Sequence, residues 1–184
     1  MKKYYPDVKL IALLRDPIKR AFSAWNHYRD IFESGLVERT FSNKNRREGN
    51  YLYNLFFQNR DKFPSFRECI DLELPYINNS DIYEPALLRR GLYIWQLEKF
   101  WKYFGKENLL IIGFKDFVDN FEETMARVAH FIGTKNINWN VLDNTPKNVR
   151  TYKDHMNSED YNFLQKFYEN PNQMLFDAIG PINW

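Results

Sequence analysis

Lys9-Leu-Ile-Ala-Leu-Leu-Arg-Asp-Pro-Ile-Lys-Arg-Ala-Phe-Ser23 is the stretch on which the fold turns. Val8 to Leu14 is a nearly continuous apolar run, the pattern of a short parallel strand covered on both faces. Asp16 is placed to cap a helix, and Pro17 fits that helix's first turn, where a missing N–H costs nothing. Arg15 then stands at the carboxyl end of a strand, beside a helix N-terminus. Open α/β sheets bind their ligands at that edge, and anions meet free backbone N–H groups there. Ser23 lies eight residues beyond Arg15, two helical turns on, so its hydroxyl and the guanidinium can share one anionic group. This is a phosphate-binding geometry.

Outward from this joint the chain alternates. Pro17 to about Phe32 reads as a helix, with Ile18, Phe22, Trp25 and Tyr28 on its apolar face. Residues 34–63 form the most polar and least periodic stretch. Ser65-Phe66-Arg67-Glu68 has capping-box spacing and predicts a short helix through about Leu72. Glu84-Pro85 predicts the start of a long helix that ends at Gly105, a residue suited to the left-handed position after a helix. Asn108 to Phe114 reads as a second parallel strand, and Asn120-Phe121 opens a helix stopped at Gly133. Ser158 is the expected cap of a helix to about Glu169, and Pro171 the start of the last one. Strand–helix–strand–helix order implies right-handed α/β crossovers. No repeat or low-complexity tract interrupts it, and residues 1–184 read as a single domain.

Arg15-Asp16-Pro17-x-x-Arg20-Ala21-x-Ser23, behind its apolar strand, resembles the 3′-phosphate-binding segment of PAPS-dependent sulfotransferases, most of all the heparan-sulfate-type and bacterial branches. Arg90-Gly91-Leu92-Tyr93-x-x-Gln96-Leu97 and the following Asn108-Leu-Leu-Ile-Ile112 resemble the next helix and strand of that family. Lys115-Asp116-Phe117 to Ile132-Gly133 resembles the helix after them, and Leu164 to Trp184 the family's C-terminal helices. The resemblance implies a P-loop NTPase-like fold, a three-layer parallel sheet with flanking helices. It also implies PAPS as donor, PAP as product, and transfer of a sulfuryl group to a hydroxyl or amine of a carbohydrate or small metabolite. Arg15 and Ser23 take the family's 3′-phosphate contacts. Asn144 to Thr151 resembles the basic loop that closes over the bisphosphate. Either Lys147 or Asn148 corresponds to the family lysine there, with Arg150 and Thr151 as further donor contacts.

The family's phosphosulfate loop, of the type Lys-x-Gly-Thr-Thr-x-Leu, has no counterpart here. None of the seven glycines, at positions 35, 49, 91, 105, 113, 133 and 180, sits in such a turn. The expectation is a family domain that is N-terminally truncated, with its catalytic residue unassigned and little turnover of its own. A non-catalytic nucleotide-binding or assembly role is the alternative. A nucleotide kinase is disfavoured, because no Gly-Lys-Ser/Thr triplet is present to hold phosphates and magnesium.

Composition narrows the field further. A net charge of +2 gives no reason to expect nucleic acid. No apolar run approaches the length of a membrane span, and Met1 to Asp7 lacks the apolar stretch of a signal peptide. One cysteine, Cys69, excludes an internal disulfide and cannot build a zinc site; no metal is expected. A cytoplasmic setting follows from these features, or the Golgi lumen for a trimmed domain of the eukaryotic type. His27 lies one turn beyond Ser23 but outside the segment where the family carries its histidine base, so a surface or packing role is favoured. His130 reads as an ordinary helix residue and His155 as a loop residue. Arg90 and Tyr93 are secondary candidates for nucleotide or acceptor contacts, and Lys44 to Arg47 reads first as a solvated loop.

Overall fold

The computed structural model describes residues 7–41, 51–79, 85–134, 152 and 154–184. Strand β1 (Leu10–Leu14) leads into α1 (Pro17–Glu33), followed by the short α2 (Val37–Thr40), α3 (Tyr51–Phe57) and α4 (Phe66–Glu73). Then come α5 (Tyr93–Phe104), β2 (Leu109–Gly113), α6 (Phe114–Asp119), α7 (Phe121–Ile132) and α8 (Ser158–Ile179). The two strands pair in parallel, in register from Leu10 with Leu109 to Leu14 with Gly113. The strand–helix joint at Arg15 and the parallel pairing are both as the sequence predicts.

The described residues fall into two compact units. One holds β1 through Asp16, residues 93–134 and residues 169–184. Its core is Leu14, Tyr93, Ile94, Leu97 and Leu175, with Ala12, Trp101, Leu109, Ile111 and Trp184 packed against it. β1 is covered on one face and not on two, for Ile11 and Leu13 are each 47% exposed. The apolar run that suggested a doubly covered strand therefore has an open face among the described residues.

The other unit holds residues 17–41, 51–79, 85–92, 154 and onward to 168. Here α1 buries Ile18, Ala21, Phe22, Trp25, Tyr28 and Ile31, a stripe at helical spacing. The stripe meets an aromatic core. Phe22 meets Phe66 edge-on at 5.2 Å and Tyr28 meets Phe57 edge-on at 6.2 Å, geometries favoured by the ring quadrupoles. The indole Nε1 of Trp25 donates to the Pro64 carbonyl at 3.0 Å. Among its described residues, the polar stretch 34–63 thus holds two short helices, α2 and α3. The latter forms because Leu52, Tyr53, Phe56 and Phe57 are buried along one side.

The capping box of α4 is present in full: the Ser65 hydroxyl accepts from Glu68 N at 3.2 Å, and the Glu68 carboxylate accepts from Ser65 N at 2.7 Å. Gly105 and Gly133 both take left-handed conformations at the ends of α5 and α7, again as predicted. Three boundaries differ from expectation. α5 starts at Tyr93 and not at residues 84–85, because the N–H groups of Leu87, Leu88 and Arg89 are taken by the Glu73 carboxylate. The cap of α8 is Asn157 and not Ser158: its Oδ1 accepts from Asp160 N at 2.7 Å. Pro171 lies inside α8 and does not open a second helix. An internal proline costs about 3 kcal/mol, but Leu164, Tyr168, Pro171 and Leu175 are all buried. Their spacing is one continuous helical stripe, whose burial offsets the local loss.

Candidate functional site

The register of the sheet fixes the site. Leu14 pairs with Gly113, so Arg15 and Phe114 are the next residues at the same carboxyl edge. The Arg15 guanidinium lies over the Phe114 ring, 5.3 Å from its centroid, a cation–π contact. The Arg15 carbonyl accepts from the Tyr93 hydroxyl at 2.7 Å. Arg15 is half-buried, and among the described residues no carboxylate forms an ion pair with it. Its planar fork of N–H donors thus faces the edge of the sheet with a π surface on one side, an arrangement suited to an oxyanion.

Tyr93 is 8% exposed and serves the fold at both of its ends. Its ring belongs to the core, while its hydroxyl holds the main chain at Arg15. Ser23 is partly buried in α1, seven positions into the helix that begins at Pro17. Lys147, Asn148, Arg150 and Thr151 lie outside the described residues, as do Lys44 to Arg47. His27, His130 and His155 are exposed, which agrees with surface roles. Arg90 is exposed too. Among the described residues, no group of three or more His, Cys, Asp and Glu side chains is placed to hold a metal ion, and no helix is long and apolar enough to cross a membrane.

Phe114 is the site residue that the sequence reading missed. The signal was available: it is the first residue past β2, as Arg15 is the first past β1, and parallel pairing brings such positions to one edge. A cavity of about 240 Å³ lies beside β1 and α5, lined by Leu10, Ile11, Leu97 and Phe100 among others. Its lining residues carry no charge, with Tyr93 and Gln96 the polar members, so it does not suit a phosphate or sulfate group.

In the other unit, Glu73 is a buried carboxyl held by main-chain amides. It is 1% exposed and accepts from Leu87 N at 2.6 Å, Leu88 N at 3.0 Å and Arg89 N at 2.9 Å. Arg20 donates to the Leu87 carbonyl. Burial pushes the Glu73 carboxyl up from the ordinary glutamate range, while the three amides and the Arg20 charge pull the other way. Close by in the sequence, Gly91 allows Tyr168 and Pro17 to approach: a Cβ there would stand 2.7 Å from the Tyr168 hydroxyl and 2.8 Å from Pro17 Cβ. That hydroxyl donates to the Leu88 carbonyl at 2.8 Å.

Comparison with known proteins bears on the family and the fold. The sulfotransferase domain family matches residues 2–151. A carbohydrate sulfotransferase 15 from Nototodarus sloanii is 29% identical over 160 residues, which is 80% of this chain and 95% of that protein. Carbohydrate sulfotransferase 15 from Mus musculus is 28% identical over 135 residues, 70% of this chain but 21% of the mouse protein. The crystal structure of a sulfotransferase from Alicyclobacillus acidocaldarius superposes with a TM-score of 0.63 at 24% identity, covering all of this chain and 59% of that one. That likeness shows the fold, a P-loop-like α/β arrangement around a parallel sheet.

Proposed function

This chain belongs to the sulfotransferase family, and we propose that it binds PAPS and its product PAP through Arg15, with the 3′-phosphate at the carboxyl edge of the sheet. The observation that carries this reading is the placement of Arg15: a guanidinium at a strand–helix joint, over the Phe114 ring, with no described carboxylate to neutralise it. By the sequence resemblance, Ser23 is the further residue expected at that phosphate. The sequence resemblance adds Lys147 or Asn148, with Arg150 and Thr151, as further donor contacts.

The reaction is sulfuryl transfer. The bond from sulfur to the oxygen bridging it to the 5′-phosphate breaks, a bond from sulfur to the acceptor oxygen or nitrogen forms, the acceptor loses a proton, and PAP leaves. The names of the relatives from Nototodarus sloanii and Mus musculus favour a carbohydrate acceptor. No residue here supplies a glycine-rich phosphosulfate loop, so the groups that would stabilise charge on the transferring sulfuryl group are few. Removing a single donor of that kind costs about 10²–10³ in rate, and the chain by itself turns over slowly. Binding of nucleotide is the function that its own residues support best.

The test is a thermal-shift titration, since a ligand that binds only the folded state raises its melting temperature. PAP is expected to stabilise the chain well beyond AMP, which lacks the 3′-phosphate, and Arg15→Ala to abolish most of the difference. Equal shifts from PAP and AMP, or none from either at millimolar nucleotide, would overturn the assignment.

A further inference from the structure

Residues 180–184 lie against the same sheet edge, and every contact concerned falls within the unit that holds Arg15. After α8, Gly180 takes a left-handed conformation with φ of 80°, which turns the chain. Asn183 then meets the end of β2. Its Nδ2 donates to the Asp116 carboxylate at 3.1 Å. Its backbone carbonyl occupies the space where a Cβ on Gly113 would be, so only glycine permits that approach. Trp184 packs 5.1 Å from the Phe176 ring and 6.1 Å from the Tyr93 ring. Tyr93 in turn donates its hydroxyl to the Arg15 carbonyl at 2.7 Å.

The strap therefore bears on both grips that hold Arg15. On the main-chain side it backs the Tyr93 ring through Trp184. On the side-chain side it fastens Gly113 and Asp116, which flank Phe114, the ring under the guanidinium. We propose that Asn183 and Trp184, acting through Tyr93 and Phe114, are positioning residues for Arg15, so that the segment after α8 sets how well the chain selects a 3′-phosphorylated nucleotide. The proposal rests on the donor-site reading above. Its physical basis is that a charged fork recognises a phosphate only while its direction is fixed, and small displacements of a positioned group are costly.

The experiment measures the affinities of PAP and AMP by calorimetry and takes their ratio, which reports 3′-phosphate recognition apart from general stability. Tyr93→Phe keeps the ring and its packing but removes the hydroxyl. The expected result is a fall in the ratio of about three- to tenfold, the effect of one hydrogen bond. Trp184→Ala is expected to lower it at least as far, and Trp184→Phe, which keeps a ring against Tyr93, to restore most of it. If Tyr93→Phe and Trp184→Ala lower the melting temperature yet leave the ratio at its wild-type value, the strap is packing alone and the relay is wrong. Tyr93→Phe decides the matter by itself should Trp184→Ala fail to fold. If the wild-type chain does not prefer PAP, the donor-site reading has failed, and the relay with it.

Discussion

Glu73 and Arg15 show two opposite treatments of a charge at the end of a secondary-structure element. Glu73 closes α4 and is buried, with its two oxygens accepting three backbone N–H groups between 2.6 and 3.0 Å. Arg15 follows β1, is half-buried, and among the described residues has a ring and no carboxylate for company. The carboxylate is spent on the protein: it fastens residues 87–89 to α4. The guanidinium lies over the Phe114 ring and meets no carboxylate among the described residues. A carboxyl whose oxygens the fold fills with its own donors is a structural device, whereas a guanidinium with no described counter-ion is equipped to receive one.

The comparison breaks most readily at Glu73. Glu73→Ala leaves three amide donors without their acceptor, each worth about 1–3 kcal/mol when buried and unpaired. The variant is expected to lose about 3 kcal/mol or more in urea unfolding; a loss under about 1 kcal/mol would show that water or rearrangement replaces the carboxylate. Arg15→Ala should do the reverse, leaving unfolding nearly unchanged while weakening PAP binding by about 10- to 100-fold, the worth of a charge-assisted contact. Calorimetry with PAP reads this directly, and a large stability loss with unchanged affinity would move Arg15 into the structural class.

Smaller effects sharpen the same contrast within α4. Ser65→Ala removes one half of the capping box and is expected to cost about 1 kcal/mol. Glu68 and Glu73, five residues apart, also titrate in opposite senses. Hydrogen bonds from Ser65 lower the Glu68 pKa from 4.5. Its contribution to stability is therefore present above that value and lost as pH falls through the lowered one. Burial raises the Glu73 pKa from 4.5. The folded state then holds that proton more tightly than the unfolded chain, so stability is lost as pH rises from 4.5 through the raised value. Stability profiles from pH 3 to 7 should show Glu68→Gln flattening the acid-side fall and Glu73→Gln flattening the loss above 4.5. The same slope in both variants would contradict the assignment.

Local chemistry was legible in the sequence wherever its cause was local. The strand–helix joint at Arg15, the capping box at Ser65 and the left-handed stops at Gly105 and Gly133 each depend on residues a few positions apart. What the sequence concealed came from partners far along the chain. Glu73 captures the N–H groups of Leu87 to Arg89 and so delays α5 until Tyr93. The Tyr93 hydroxyl reaches an acceptor 78 residues away, which no spacing rule anticipates. Pro171 reads as a helix start until its neighbours Tyr168 and Leu175 are seen buried on the same stripe. Phe114 was hidden for a different reason: an aromatic residue after a strand is ordinary, and only the register with β1 places it beneath Arg15.

The most direct test of the central claim compares two isomers of equal charge and composition, adenosine 3′-monophosphate and adenosine 5′-monophosphate, as thermal stabilisers of the wild-type chain. Arg15 is assigned to the 3′-phosphate, and no glycine-rich loop is present to hold the 5′ side. The 3′-isomer is therefore predicted to raise the melting temperature clearly more than the 5′-isomer, with the difference vanishing in Arg15→Ala. Equal stabilisation by the two isomers, or a preference for the 5′-isomer, would contradict the account.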